Sequence, residues 1–297
     1  MDNGFRVDFI GAGALRCATT WISQCLADHP QICFSSTKET LFFNRDYNLK
    51  KGVDFYKVFF KNCDEGKIKG EYTPSYYLDE EVAKRIKEFS PDVKIFLCLR
   101  EPVDRSIDHY LYDKKKGMVS TPFAKLMKEG NSRYITDSFY YSHLSKFFKH
   151  FNPENVMVAI FEDINKDKEA FIKKIYKFAG VDENMMPDIN SIGANSVGDV
   201  SYKFLFINKF INLRKDLKKN ALGRIFICFL KAIGVNKIVK IILEANHSKN
   251  AGPADNSEIE DIKKLYGKEL TKMYFDDIKK LEGLININLS DWYEKYK

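Results

Sequence analysis

Residues that could hold an anion stand close to the N-terminus, in the stretch FIGAGALRCATTWISQCL at positions 9–26. An apolar run meets Gly11 and Gly13, and Arg16, Thr19 and Thr20 follow just where an apolar helical pattern begins. Backbone N–H groups at a helix start attract anions, and a cation with two hydroxyls adds charge-assisted hydrogen bonds. The stretch therefore predicts an anion-binding loop between a strand and a helix.

Two well-known nucleotide-binding fingerprints do not fit this loop. The dinucleotide pattern G-x-G-x-x-G places a glycine where the chain has Arg16, and no strand-end acid for a ribose follows about twenty residues later. The kinase-type pattern G-x-x-x-x-G-K-[ST] needs a Gly-Lys pair that the loop lacks. A nucleotide kinase remains an alternative function, because Glu162 and Asp163 follow an apolar strand pattern and could hold magnesium.

The elements that must position this loop alternate between strands and helices. Apolar, β-branched runs predict strands at Val7–Ile10, Ile32–Ser35, Ile68–Tyr72, Lys94–Leu99 and Val156–Phe161. Helical periodicity predicts helices at Thr19–Ala27, Asp79–Phe89, Val103–Lys115, Phe139–His150 and Lys166–Ala179, and then at Tyr202–Leu213, Leu222–Ala232, Ile238–Ala245 and Glu258–Leu281. This alternation predicts an α/β fold: a P-loop-like three-layer sandwich with a mostly parallel central sheet and a helical C-terminal third. Ligands of such sheets bind at the carboxyl ends of the strands, where the loop lies.

Charge and cysteine content restrict the classes of partner and compartment. The net charge of +7 is concentrated in residues 201–245, which hold ten Lys/Arg and two acids, so a protein that coats nucleic acid is disfavoured. This segment predicts amphipathic helices with a solvated cationic face; the alternative is an acceptor-binding lid or a peripheral contact with an anionic lipid or glycan. The six cysteines form no CxxC pair and suit reduced, packed thiols, which with the absence of an 18-residue apolar run predicts a cytoplasmic protein.

Further segments give the loop a family context. The residues at 13–21 resemble G-x-x-K-x-G-T-T-x-L, the 5′-phosphosulfate loop of sulfotransferases that use 3′-phosphoadenosine-5′-phosphosulfate (PAPS). In the family's order there follow resemblances to K-E-x-x-F-F at 38–43, G-E-x-T-P-S-Y at 70–76, R-[DN]-P-V-x-R-A-x-S-x-Y at 100–110, and D-I-x-x-L…L-S-x-W at 277–292. Residues 185–255 have no clear counterpart. The chain thus resembles a PAPS-dependent sulfotransferase, of the soluble bacterial type and similar to the carbohydrate and heparan-type domains.

The resemblance implies a set of donor-binding residues. They are Gly13, Ala14, Leu15, Arg16, Cys17, Ala18, Thr19, Thr20, Trp21, Arg100, Asp108 and Lys249. Arg100 ends an apolar strand and would bind the 3′-phosphate, and Lys249 would cover the adenine or 3′-phosphate end. Asp108 departs from the family's serine and would repel that phosphate unless Arg105 or Lys114 neutralised it.

The same resemblance implies the catalytic residues. Glu39 would be the general base, with a pKa raised by burial against Phe42 and Phe43, although a salt bridge to Lys38 is the simpler reading. Arg16 would contact the sulfuryl oxygens where the family usually has lysine, and His109 is a weaker candidate base. Ala18 replaces a glycine, and Tyr72 stands where some members place a catalytic lysine.

One function unites these observations, with two rivals. We expect one sulfotransferase domain over residues 1–297, with a core at 5–180, a helical acceptor or lid region at about 185–255, and a closing segment at 256–297. It would move a sulfuryl group from PAPS to a hydroxyl, or an amine, of a glycan or small molecule without a metal. The rivals are an inactive relative that binds PAPS or its product 3′-phosphoadenosine-5′-phosphate (PAP), and the nucleotide kinase. The sequence gives no indication of oligomeric state.

Overall fold

The computed structural model of the protein describes residues 4–44, 46–189 and 256–296. The helices predicted between residues 202 and 245, the basic segment 201–245 and Lys249 lie outside the described residues. Secondary structure is numbered here along the described residues alone.

A five-stranded parallel sheet forms the centre of the molecule. Its strands are β1 (Phe9–Gly13), β2 (Ile32–Phe34), β3 (Ile68–Tyr72), β4 (Lys94–Leu99) and β5 (Val156–Ile160). The spatial order is β2-β3-β1-β4-β5, and every neighbouring pair is parallel. The chain leaves β1 towards one edge and crosses later towards the other. The carboxyl end of β1 is therefore the point where ligands of such sheets bind.

The helices connect these strands and follow them. They are α1 (Thr19–Asp28), α2 (Asp46–Leu49), α3 (Gly52–Lys57), α4 (Glu80–Phe89), α5 (Pro102–Lys115), α6 (Phe123–Glu129), α7 (Arg133–Thr136), α8 (Tyr140–Phe148), α9 (Glu162–Lys166), α10 (Lys168–Ala179), α11 (Asn256–Ile285) and α12 (Ser290–Glu294). The strand order sends the β1–β2 connection with α1 and the β3–β4 connection with α4 in opposite directions along the sheet, and the right-handed rule for such connections then places the two helices on opposite faces. Trp21 of α1 packs against Phe171 of α10, whereas α4, α5, α8 and α11 pack together. The predicted three-layer α/β fold is confirmed.

The first strand begins and ends later than predicted, at Phe9–Gly13 instead of Val7–Ile10. It includes both glycines of the loop motif because aromatic rings lie against them. A Cβ on Gly11 would lie 2.3 Å from the Tyr72 ring, and one on Gly13 would lie 2.8 Å from the Tyr77 ring. Both close contacts are with aromatic rings that pack on β1, so the packing of the sheet requires these glycines.

The long helix α11, which begins the closing segment, packs across the α5–α8 side of the molecule. Its Tyr274 hydroxyl lies 2.9 Å from the Ser106 hydroxyl and donates to the carbonyl of Ile135. Asp277 accepts hydrogen bonds from the amides of Tyr141 and Ser142 at the start of α8. The helix is longer than the predicted Glu258–Leu281 and contains that whole range.

The cysteines differ in part from the expectation of reduced thiols. Cys17, Cys25 and Cys98 are free and buried, which agrees with it. Cys33 at the edge strand and Cys63 in the segment before β3 form a disulfide, so the expectation is wrong for this pair. Among the described residues, no helix combines the length and hydropathy that crossing a membrane would require.

Candidate active site

The loop between β1 and α1 forms an open helix start. Ala18 is the N-cap residue of α1 in a left-handed conformation with φ of 54°, and no side chain caps the helix. The first turn contains no acidic residue. The amides of this turn and the positive end of the helix dipole are therefore available to an anion. The left-handed geometry also explains why a glycine suits position 18.

Arg16 has a left-handed backbone and is held at the mouth of this loop by two side-chain contacts. Its φ is 71°, its Nε lies 2.5 Å from Oδ2 of Asp108, and its guanidinium stacks 4.0 Å from the centre of the Tyr112 ring. The side chain is only 13% exposed. A guanidinium fixed in this way has its orientation set before any ligand arrives, which is the requirement for electrostatic stabilisation of developing charge.

Asp108 pairs with two of the three cations predicted for the donor site, Arg16 and Arg100. Besides Arg16, its Oδ1 lies 3.7 Å from Nη1 of Arg100, which also points at the carbonyl of Arg16. The predicted partners are wrong: Arg105 is fully buried on other groups, and Lys114 pairs with Glu258. The aspartate is thus neutralised by Arg16 and Arg100, and an incoming phosphate must share those cations with it.

Arg100 leaves the carboxyl end of β4 and lies against the Phe161 ring, with its guanidinium 4.7 Å from the ring centre. Burial lowers the pKa of Arg100, but the nearby carboxylates of Asp108 and Asp104 outweigh it and raise the pKa above its usual value. The residue stays cationic and one fifth exposed, as a phosphate ligand must be.

Glu39 lies at the same pocket but differs from its predicted setting. Its backbone is left-handed, with φ of 63°, and its amide donates to the carbonyl of Tyr72. Phe42 and Phe43 are buried in an aromatic cluster and leave the Glu39 side chain 42% exposed, with Lys38 Nζ 3.3 Å from Oε1. The predicted burial of the carboxylate is therefore wrong, and the predicted salt bridge to Lys38 is present. Lys38 also donates to the Thr20 hydroxyl and so links the base candidate to the loop.

His109 is poorly suited to act as a base. It is 3% exposed, its Nε2 lies 2.7 Å from Arg133 Nη2, and its Nδ1 lies 3.3 Å from Arg105 Nη1. Burial, with the charges of Arg105, Arg133 and Arg16, lowers its pKa to about 2. An imidazole in this setting does not take up a proton near neutral pH, so the site argues against the predicted role.

Several loop residues predicted to bind the donor contribute no side chain to the pocket. Trp21 is buried against α10, and the amide of Ala14 donates to the carbonyl of Cys98 in β4. The Cys17 thiol is buried, which raises its pKa to about 12. The carbonyl of Gly13 accepts the Tyr72 hydroxyl at 2.6 Å. Tyr72 is fully buried. Position 72 therefore supplies no cation to the site, whereas some members of the family have a lysine there.

The remaining loop residues line one cavity with residues from four other segments. The cavity measures about 340 Å³. Its lining comprises Leu15, Arg16, Ala18, Thr19, Thr20, Lys38, Glu39, Pro74, His109, Tyr112, Asp113, Lys116, Met118 and Arg133. Four of these are cations and two are acids, and Tyr112, Lys116 and Arg133 belong to no motif in the sequence. Only the amphipathic pattern of α5, which turns Tyr112 and Lys116 to one side, could have indicated them.

Glu162 and Asp163, the acids on which the kinase alternative depended, make other contacts. Glu162 Oε1 accepts the amide of Glu101, and Asp163 pairs with Lys166 at 2.8 Å. Within the part of the chain that the structure describes, no group of three or more His, Cys, Asp or Glu residues could hold a metal ion. The structure does not support the predicted magnesium role of Glu162 and Asp163.

Comparison with known proteins agrees with this geometry. The family model of the sulfotransferase domain matches residues 7–193, more than half of the chain. The chain is a member of the sulfotransferase family. The matched range contains the β1–α1 loop, Glu39, Arg100 and Asp108.

Individual relatives match part of the sulfotransferase chain. It is 27% identical over 177 residues to heparan sulfate glucosamine 3-O-sulfotransferase 3A1 of Mus musculus, covering 57% of this chain and 44% of that one. It is 34% identical over 106 residues to the membrane-associated sulfotransferase kil1 of Dictyostelium discoideum, covering 35% of this chain and 22% of that one. The matches thus span less than half the length of these relatives.

A solved structure shows the same fold over nearly the whole length. The sulfotransferase from Alicyclobacillus acidocaldarius aligns with 97% of this chain and 99% of its own, with a TM-score of 0.63 and 20% identity. At this identity the likeness concerns the fold.

Proposed function

We propose that this protein transfers a sulfuryl group from PAPS to a hydroxyl group of a glycan or small molecule, less readily to an amine. The observation that carries the proposal is the shared cavity. The open start of α1, Arg16, Thr19 and Thr20 on one side meet the carboxylate of Glu39 on the other. A donor sulfate at the helix start and an acceptor hydroxyl at Glu39 would then lie in one enclosed space, which supplies proximity and orientation.

The proposed step is an in-line displacement at sulfur. The acceptor oxygen forms a bond to sulfur while the bond from sulfur to the bridging oxygen of the 5′-phosphate breaks. The acceptor proton passes to Glu39, and the electron pair of the broken bond leaves with PAP. Arg16 and the amides of α1 offset the charge that grows on the leaving phosphate. The donor comes from bound PAPS, and the step uses no metal ion.

The direct test uses PAPS labelled in its sulfuryl group and a library of hydroxyl and amine acceptors. We expect label to reach an acceptor with release of PAP, at a rate that a metal chelator does not change. Glu39→Gln should lower kcat at least 100-fold, the lower end of general-base effects, while PAP binding measured by calorimetry stays within about twofold. Glu88→Gln, an exposed site on α4, is the matched control and should leave both quantities unchanged. Absence of PAP binding would overturn the proposal.

A second candidate is a relative that binds PAP without transfer. The salt bridges of Asp108 to Arg16 and Arg100 favour it, because they occupy the cations that the donor needs. PAP binding without label transfer to any acceptor, together with transfer gained in Asp108→Ser, would select this candidate. We also propose a cytoplasmic location, against which the disulfide between Cys33 and Cys63 counts. Cell fractionation tests the location, and thiols of Cys33 and Cys63 that label only after reduction would overturn it.

A further inference from the structure

A buried histidine links two arginines beside the cavity. His109 on α5 lies between Arg105, which is fully buried, and Arg133 at the start of α7. Arg105 is satisfied elsewhere, since its Nε donates to the Ser138 hydroxyl and its Nη2 donates to the carbonyl of Tyr134. Arg133 reaches His109 with a 2.7 Å contact from Nη2 to Nε2. The imidazole is therefore placed to accept a hydrogen bond from Arg133.

The charge state of this histidine makes the contact favourable. Its pKa is lowered to about 2 by burial and by the three surrounding guanidiniums of Arg105, Arg133 and Arg16. A neutral imidazole keeps a lone pair on one ring nitrogen, and the shorter of the two contacts assigns it to Nε2. His109 thus orients Arg133 without repelling it, a role that a protonated imidazole could not fill.

A second anchor holds the same nitrogen of Arg133. The Asp113 carboxylate, 3% exposed, accepts from Arg133 Nη2 at 3.2 Å and from the Tyr134 hydroxyl at 3.0 Å. The Arg133 nitrogens Nη1 and Nε donate to none of the residues that the structure describes, and the side chain is 57% exposed. A guanidinium anchored by one nitrogen still has two others for a ligand, and its planar fork suits a carboxylate or sulfate.

We infer that Arg133 is a specificity-determining residue that binds a negatively charged group of the acceptor, next to the hydroxyl that receives the sulfuryl group. The inference rests on the proposed function, because Glu39 places that hydroxyl in the cavity that Arg133 also lines. The donor accounts for Arg16, Thr19 and Thr20, which leaves the cavity wall of Tyr112, Lys116 and Arg133 to the acceptor. Lys116 and Arg133 give that wall two positive charges against the one buried carboxylate of Asp113, so the acceptor class is a hydroxyl compound that carries a carboxylate or a sulfate.

The test uses acceptors in matched pairs that differ in one charge. A glucuronide and the glucoside of the same aglycone form one pair, and 4-hydroxyphenylacetate and its methyl ester form another. With labelled PAPS we expect kcat/KM of the wild-type enzyme to favour the anionic member by at least about tenfold, a ratio set by one charge-assisted contact. Arg133→Gln should raise KM for the anionic member by a similar factor and reduce the preference to near unity. Arg133→Lys, which keeps the charge without the fork, should recover part of the preference.

The controls separate this inference from the proposed function. Lys128→Gln on α6 removes a positive charge outside the cavity lining and should leave the preference intact. Thermal stabilisation by PAP, measured for wild type and Arg133→Gln, reports the donor site alone. Transfer to neutral members equal to or above transfer to anionic ones overturns the inference and leaves the function standing. PAP binding without transfer to any member of either kind overturns the inference and selects the relative that binds PAP without transfer. Absence of both PAP binding and transfer overturns the two together.

Discussion

Three residues of the site adopt a backbone conformation that side chains with a Cβ disfavour. Arg16, Ala18 and Glu39 all have φ between 54° and 71°, and each lines the cavity. Such residues cost roughly 1–3 kcal/mol each, and surrounding structure must hold them in place. Here the ion pair of Arg16 with Asp108 and the hydrogen bond from the Glu39 amide to the Tyr72 carbonyl do so. The loop is therefore fixed before a ligand binds.

Ala18→Gly should raise the free energy of unfolding, by about 0.5–1 kcal/mol, because the relief of the left-handed strain exceeds the entropy that glycine loses on folding. Ala27→Gly in the same helix is the control with the opposite sign. Ala27 is exposed and helical, so glycine there should cost about 1 kcal/mol. Urea titration of both variants measures the difference. A loss of stability in Ala18→Gly would show that the loop is not strained at this position.

Asp108→Ser should tighten PAP binding about tenfold, because it removes a carboxylate that competes with the phosphate for Arg16 and Arg100. In a partly exposed site this competition weakens PAP binding by roughly 1–2 kcal/mol. Calorimetry with PAP at fixed salt measures the affinity. Asp54→Asn, an exposed acid on α3, serves as the control for net charge. Weaker binding in Asp108→Ser would mean that the aspartate's main effect is to orient Arg16.

At the scale of single residues, the sequence identified Arg16, Thr19, Thr20, Glu39 and Arg100 because each stands in a local motif. It could not identify Arg133, which reaches the site through the packing of α7 against α5. It placed His109 as a base because a histidine on a helix shows nothing of the guanidiniums that surround it. The sequence also does not show the partners of Asp108, because Arg16 is 92 positions away along the chain and only the fold brings the two together.

Among the elements, the sequence is most informative where hydrophobic periodicity is strong. The limits predicted for β3 and β4 are those observed, and the long connecting helices agree to within two residues. The predicted end of β1 is too early because glycines usually indicate a turn. In this protein Gly11 and Gly13 lie within the strand, where their lack of a side chain leaves room for the rings of Tyr72 and Tyr77. Short helices such as α6 and α7 carry too few apolar residues to show a period.

Asp277 connects two of these elements and its loss should be costly. Its carboxylate accepts from the amides of Tyr141 and Ser142 and from the Ser142 hydroxyl, so α11 caps α8. We expect Asp277→Ala to lower the free energy of unfolding by about 2 kcal/mol, because the first-turn amides of α8 lose their partner. Asp277→Asn keeps one acceptor and should lose less than half of that. Asp276→Ala, on the exposed side of the same helix, should change stability by under about 0.5 kcal/mol.

For the molecule as a whole, buried ionisable groups decide how stability depends on pH. The unfolded chain binds a proton at His109 below its ordinary pKa of about 6.5, while the native chain resists it down to about pH 2. Between these values the unfolded state holds the additional proton, so this residue makes stability fall as pH falls. Burial of Glu71 and Glu101 raises their pKa values, which acts in the opposite direction.

His109→Gln should therefore flatten the acid side of the stability curve. From pH 6.5 to pH 5 the wild type should lose about 1.6 kcal/mol more than the variant, because the slope rises towards about 1.4 kcal/mol per pH unit as the unfolded histidine becomes fully protonated. Denaturant titrations at several pH values, taken as the difference between the two proteins, isolate this residue from the other groups. Parallel curves would show that His109 titrates in the native state much as it does in the unfolded chain.

The disulfide between Cys33 and Cys63, which are 30 positions apart in the sequence, closes a loop that includes Glu39. A protease that cuts this loop once leaves both pieces covalently joined, and they separate on a denaturing gel only after a reductant is added. Nicked and intact protein would therefore run together under oxidising conditions, so the integrity of the segment that carries the proposed base has to be judged on reduced samples.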